Sequence, residues 1–371
     1  VRVGIFIRKW SVRGGNERVA TELAEQLQMR GHEVIVVCQK IDPSATARPI
    51  RFERVRGIAF DPTLAMITFA WSAGRARKRL ERARAIDVSI GFNHTVRQDV
   101  YRLGGGTHAE LLALAEHMPA LRSGHIIDRV ALDLERRRFT DGALRRLIAP
   151  SHRVKDELMR HYAVDPARID VIWNGIDPHR FHPEPDTLSE RQAVRKDWGV
   201  GVDEPVILFV GQDLVRKGFD LAVRVADAMD VRLVYVGKAD RPRGLGQNVI
   251  WANETRAIEK AYRAADVLLA PSRYDPFGGV VLEALASGLL AVASRRIGAT
   301  ERAHGTALDS LFVADPEDVT ALRACTEEAL DPARRPALLA AAREVTKNAS
   351  LDAWGEAMIV AIANACGVPP Q

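Results

Sequence analysis

Cysteine is scarce in this chain of 371 residues. Cys38, Cys325 and Cys366 are odd in number, widely scattered and form no C-x-x-C pair. Such a set argues against a disulfide framework or a structural zinc site and for a reducing compartment. No apolar run approaches the length needed to cross a bilayer. The sequence opens directly on a strand-like segment, Val1 to Ile7, so no signal peptide is expected and the protein is expected in the cytoplasm. Aromatics make up 6% of residues and do not interleave with the basic segments. With no nucleic-acid-binding motif present, a nucleic-acid partner is not expected. There is no G-x-G-x-x-G, hence no dinucleotide fingerprint.

What is there suits two globular cores: 47% hydrophobic and 27% charged residues in a length that exceeds one average domain. Short β-branched runs alternate with helical stretches. The runs are Val3–Ile7, Glu33–Cys38, Val88–Gly91, Leu147–Ala149 and Asp170–Trp173, then Val206–Val210, Arg232–Val236, Val249–Trp251, Val267–Ala270 and Leu290–Ala293. Near-continuous apolar strands between helices predict doubly wound parallel sheets. Pro178, Pro183 and Pro185 interrupt the two series, predicting domains at 1–177 and 190–350 with a linker at 178–189. The last stretch, 351–371, carries Leu351, Trp354, Met358, Ile359 and Ile362 at helical spacing and must dock on something. The net charge of +5 is concentrated at Arg75, Arg77, Lys78, Arg79, Arg82 and Arg84 and at Arg136, Arg137, Arg138, Arg145 and Arg146. These runs are either solvated helix faces or attraction to an anionic partner such as a membrane surface.

Three segments carry chemistry. Gly14-Gly15-Asn16 follows the first strand, with Asn16 as expected N-cap of a helix ending at Gly31. It is either a tight turn or a substrate loop. Gly211 and the Arg216-Lys217-Gly218 segment follow Val206–Val210, at the strand end where open α/β sheets bind ligands. Two adjacent cations suit a diphosphate, or are plain surface. Pro271 to Gly288 is the most informative. Pro276 is expected to start a helix that Gly288 ends, with Asp275 in the loop before it and Glu283 inside. Gly278 and Gly279 between the two acids leave helix-start N–H groups open to an anion. A nucleotide sugar fits that combination, the acids accepting from vicinal hydroxyls.

The chain resembles the retaining glycosyltransferases of family 4, of the GT-B fold. The likeness rests on Gly14-Gly15, Arg30-Gly31-His32-Glu33-Val34, Trp173-Asn174-Gly175-Ile176-Asp177 with Phe181, Arg216-Lys217-Gly218, Ala270-Pro271-Ser272 and Glu283-Ala284. The family's E-x7-E pattern falls on Asp275 and Glu283; the first acid is Asp, shorter by one C–C bond of about 1.5 Å. The family's Pro-Val after the glycine is replaced by Leu289-Leu290. Within the family, Ile90-Gly91-Phe92-Asn93-His94, Asp99-Val100-Tyr101 and Gly104-Gly105-Gly106-Thr107-His108 are most similar to the lipopolysaccharide-core glucosyltransferase I group.

The resemblance implies two Rossmann-like domains facing across a cleft, with the final helix crossing back to the first domain. It implies transfer of a hexose, glucose from UDP-glucose, to a lipopolysaccharide-core or other glycolipid acceptor at the inner face of the plasma membrane. Arg216 and Lys217 would neutralise the leaving diphosphate without a metal ion. Asp275 would hold sugar hydroxyls and Glu283 the ribose. Gly15, Gly211 and the N–H groups of Phe277, Gly278, Gly279 and Val280 would complete the donor site. Gly14, Gly15, His94, Asp99 and His108 would face the acceptor. Two alternatives stay open: a UDP-sugar 2-epimerase of the same fold, and a non-catalytic protein that binds a nucleotide sugar or a membrane surface.

Overall fold

The structure is a computed structural model that describes residues 1–12, 14–42, 45, 49–58, 60–118, 121, 124–183 and 188–367. Pro185 of the expected linker and the last four residues lie outside the described residues. The chain divides into two compact units, Val1–Gly175 with Leu351–Gln371, and Ile176–Ser350.

The first unit is built on strands β1 (Arg2–Phe6), β2 (Lys9–Trp10), β3 (Glu33–Cys38), β4 (Lys40–Ile41), β5 (Arg51–Arg54), β6 (Val88–Phe92), β7 (Val100–Arg102), β8 (Arg146–Ala149) and β9 (Ile169–Val171). Seven of them form one sheet in the order β5-β3-β1-β6-β7-β8-β9, while β2 and β4 pair separately. The pairings are parallel, with Ile5 level with Val36 on one side and Ile90 on the other. Both faces of the central strands are buried: consecutive residues from Val3 to Phe6, Val34 to Cys38 and Val88 to Phe92 are all buried, with no two-residue alternation.

The second unit carries β10 (Val206–Val210), β11 (Arg232–Gly237), β12 (Val249–Asn253), β13 (Val267–Ala270), β14 (Ala291–Ser294) and β15 (Phe312–Val313). Their order, β12-β11-β10-β13-β14-β15, runs outward one way from β10 and the other way from β13. Adjacent strands whose connections leave in opposite directions cannot both have their loop ends covered. The carboxyl ends of β10 and β13 are therefore the switch point of this sheet, the place where open α/β sheets bind ligands. The first sheet has the equivalent point between β1 and β6.

The helix Leu351–Cys366 belongs to the first unit and packs on the helix Gly15–Met29. Trp354, Met358, Ala361, Ile362 and Ala365 join the core of Val19, Leu23 and Ile90. Gln26 donates to Asp352 Oδ1 at 3.2 Å, and Arg145 donates to the Ala365 carbonyl at 2.6 Å.

Local details differ from expectation for identifiable reasons. The N-terminal helix starts at Gly15 rather than after Asn16. Gly14 (φ 101°) makes the turn, and the Asn16 side chain is drawn away to Asn93 Oδ1 at 2.6 Å. Pro276 does not start the helix before Gly288. The helix is Gly279–Ala286: Asp275 bridges Ile297, Pro276 and Phe277 bend away from that bridge, and left-handed Gly278 (φ 72°) turns the chain into the helix. Strands β5 and β7 gave no apolar signal: Arg-Phe-Glu-Arg is a partly exposed edge, and β7 is three residues ending in an arginine.

Met358 is fully buried whereas Val360, two residues on, is 38% exposed. Met358→Ala is expected to destabilise the first unit by about 2–5 kcal/mol, and Val360→Ala by about 0.5 kcal/mol or less. Urea unfolding of both variants checks this; equal effects would contradict the docking of this helix.

Candidate active site

The loops after β10 and β13 meet at the switch point of the second sheet. Gly211 leaves β10 and its carbonyl accepts the Tyr235 hydroxyl at 2.8 Å. Asp213 then caps the single turn Leu214–Lys217, accepting the Arg216 N–H at 3.2 Å. The turn ends at Gly218 (φ 73°), where a Cβ would collide with the Pro271 carbonyl oxygen. Only glycine allows this close approach of the two loops. The backbone seals it, with the Arg273 N–H donating to the Arg216 carbonyl at 2.8 Å.

This brings Arg216 and Lys217 onto the acidic loop. Arg216 donates from Nη1 to the Tyr274 carbonyl at 2.9 Å and from Nε to Asp213 Oδ2 at 3.0 Å. Lys217 Nζ forms an ion pair with Asp275 Oδ2. Asp275 Oδ1 accepts the Phe277 N–H at 3.3 Å. Burial alone would raise the Asp275 pKa. The charges of Lys217 and Arg216, with the hydrogen bonds from Lys217 and Phe277, outweigh it and hold the carboxyl below its ordinary value. A carboxylate lowered on folding adds stability above its unfolded pKa of about 3.9 and loses it as pH falls through the folded value. The lock is therefore intact at neutral pH.

Gly278 is left-handed (φ 72°), and a Cβ there would strike Ile297. It turns the chain into the helix Gly279–Ala286, whose leading N–H groups, at Gly279 and Val280, have no acceptor within the helix. One expected donor is spent internally: the Phe277 N–H serves Asp275. Glu283 lies on this helix, buried, and accepts the Tyr262 hydroxyl at 3.0 Å.

Arg273 is a further residue of the site that its sequence context did not single out. Its guanidinium donates to Val215 O at 2.8 Å, Asp220 at 2.7 Å through both nitrogens, and Glu317 Oε1 at 2.7 Å. It staples the Arg216–Lys217 turn to the next helix. Its partners stand 44 to 58 positions away, beyond any local pattern.

In the first unit, Gly14, Gly15, His94 and His108 lie in loops or helix starts at the carboxyl ends of the strands. A Cβ at Gly15 would meet nothing within 4 Å, so no packing demands glycine there. Burial foremost, then the charges of Arg138 and Arg8, push the His94 pKa down to about 4, leaving it neutral at pH 7. His108 Nε2 hydrogen-bonds Asp128 Oδ1 at 3.1 Å.

Asp99 is placed differently from the other expected acceptor-side residues. It precedes β7 at the amino end of the strands, opposite to those loops. Its carboxylate accepts Arg77 Nη2 at 3.0 Å, the Ser89 N–H at 2.9 Å and the Ser89 hydroxyl at 2.6 Å. It is 7% exposed and anchors a helix to the sheet; Gly14, Gly15, His94 and His108 lie at the other end of the strands. Asp99→Ala would leave Arg77 with Glu81 and the Ser89 hydroxyl as partners and the Ser89 N–H without its acceptor, at a cost of about 1–3 kcal/mol. The expected outcome is a lower unfolding midpoint with nucleotide affinity unchanged, measured by urea unfolding and calorimetry. Lost affinity in a normally stable variant would return Asp99 to the site.

Among the described residues no cluster of three or more His, Cys, Asp or Glu is placed to hold a metal ion, and no helix is long and apolar enough to cross a membrane.

Comparison with known proteins agrees with this geometry. The Glycosyltransferase Family 4 model matches residues 13–180 and the glycosyl transferases group 1 model matches residues 204–331. A Burkholderia thailandensis protein named "Probable transglycosylase" is 29% identical over 91% of this chain and 88% of its own. The lipopolysaccharide glucosyltransferase WaaG of Escherichia coli is 25% identical over 77% of this chain and 78% of its own. Among solved structures, WaaG superposes with a TM-score of 0.78 at 23% identity, over 97% of this chain and 99% of that one. HepE of Anabaena, solved with UDP and glucose, gives 0.72 at 18% identity, over 98% and 99%. Matched in both units and built on two parallel sheets, the chain belongs to the family 4 glycosyltransferases of GT-B fold, enzymes that use nucleotide-sugar donors.

Proposed function

We propose that this enzyme is a retaining transferase that moves glucose from UDP-glucose to a glycolipid acceptor of the lipopolysaccharide-core type, at the inner face of a membrane. The carrying observation is the lock of Arg216 and Lys217 beside the open helix start at Gly279 and Val280. A diphosphate there meets two cations and a positive dipole end, all held before it arrives. Charge that develops as the sugar–phosphate bond breaks is met without reorganisation, and the two cations supply what a metal ion would otherwise supply. Glu283 is the proposed acceptor for the ribose hydroxyls. Asp275 holds Lys217 in place and takes the hexose hydroxyls. His94 and His108 are the proposed acceptor-side groups. The likeness to WaaG supports the glycolipid acceptor, and the HepE complex supports UDP-glucose.

Incubation with a panel of UDP-sugars and a lipopolysaccharide-core acceptor tests this. UDP-glucose should give transfer that survives chelator, and Lys217→Ala should lower kcat by about 100- to 1,000-fold. Glu283→Gln should weaken UDP binding by about tenfold or more. Neither transfer nor hydrolysis with any nucleotide sugar at saturating donor would overturn the reading. Conversion of a UDP-sugar alone to its 2-epimer would replace it.

A further inference from the structure

The helix Pro62–Arg82 has one face in the core of the first unit: Ala65, Met66, Phe69, Ala70, Ala73, Ala76, Arg77 and Leu80 are buried. The opposite face is unusual. Phe60, just before the helix, is 88% exposed, followed by Leu64 at 40%, Ile67 at 43% and Trp71 at 60%. Exposed Arg75, Lys78 and Arg82 continue the same line. At 100° per residue, Leu64 to Arg82 fall within an arc of about 80°, a single stripe about 27 Å long. Its first half is apolar and its second half cationic, and the Arg75 guanidinium lies 3.5 Å above the Trp71 ring where the halves meet.

The structure sorts the basic runs. Arg77 is buried on Asp99 and Glu81, Arg79 is paired with Glu53, Arg138 is buried, and Arg146 is paired with Asp170. Arg75, Lys78 and Arg82 remain exposed on the stripe, where cations at a helix C-terminus suit its dipole. Dipole and solvation explain the basic half but not four large apolar side chains in water. The helix packed beside it, His125–Thr140, adds exposed Ile126 at 72% with exposed Arg129 and Arg136.

We propose that this stripe docks the enzyme on an anionic lipid surface, Phe60, Leu64, Ile67 and Trp71 entering the headgroup–acyl boundary and Arg75, Lys78 and Arg82 meeting lipid phosphates. Charge complementarity selects this occupant. A lipid boundary takes an indole and aliphatic side chains at one level and cations at the next, and it carries the negative charge the basic half lacks. The proposal deepens the reading of a membrane-borne acceptor and rests on it.

The test is sedimentation of the full chain with phosphatidylcholine vesicles, with and without phosphatidylglycerol, beside calorimetry of UDP binding. Binding to the anionic vesicles only, weakened by added salt, is expected. The triple change Leu64→Ser, Ile67→Ser and Trp71→Ser should weaken it by about tenfold or more. Arg75→Gln with Lys78→Gln and Arg82→Gln should remove the preference for anionic lipid. All these positions are exposed, so both variants should melt like wild type and bind UDP equally. No vesicle binding, or equal binding by wild type and both variants, overturns the proposal. So does self-association in solution abolished by the triple change, which would make a second copy the occupant. UDP affinity reads the donor site separately, so either failure leaves that assignment intact.

Discussion

The ion pair between Lys217 and Asp275 is the contact on which the proposed donor site depends. It ties the loop after β10 to the loop after β13, the two strands flanking the switch point of the second sheet. Other features serve to make it possible. Gly218 lets the first loop approach Pro271, Arg273 staples that loop to the next helix, and the Asp275–Ile297 bridge fixes the second loop. Two desolvated charges would be costly to hold alone; here each is matched before any ligand arrives. Such preorganisation favours catalysis by charge stabilisation.

The two units treat helix starts at the carboxyl ends of their strands differently. In the first unit, the loop from Gly104 to Gly106 precedes a helix whose leading donors are already occupied. Glu157 accepts the Thr107 N–H at 3.2 Å, and Glu135 accepts the His108 N–H at 2.9 Å and the Ala109 N–H at 3.2 Å. Protein carboxylates sit where an anionic ligand would. In the second unit, the acid nearest the helix start is turned toward a lysine, which leaves the donors at Gly279 and Val280 to a ligand. Similar architecture thus leaves helix-start donors unoccupied in one unit and capped by carboxylates in the other.

Much of this was legible from the residues. The apolar runs of β1, β3, β6, β10, β11 and β13 mark strands buried on both faces, and Arg216-Lys217-Gly218 with Asp275 to Glu283 mark the loops that converge. What stayed hidden was long-range. Arg273 looks like any loop cation until Asp220 and Glu317 are beside it. Asp99 is read as an acceptor-side acid from the group resemblance alone; its pairing with Arg77 and Ser89 at the amino end of β7 joins residues 10 and 22 positions apart, which no local pattern shows. The helix starts at Gly279, three residues after the expected Pro276: Pro276 suits a first turn by its φ, but it follows the Asp275–Ile297 bridge in a bend, and left-handed Gly278 turns the chain into the helix. The exposed line from Leu64 to Arg82 was visible only as a basic run, since the sequence cannot show which of those cations are already paired.

Calorimetry comparing UDP with UMP tests the central claim most directly. If Arg216, Lys217 and the helix start grip a diphosphate, UDP binds far more tightly than UMP, and the difference collapses when Arg216 and Lys217 are both changed to alanine. Equal affinity of the intact enzyme for UDP and UMP would contradict the account.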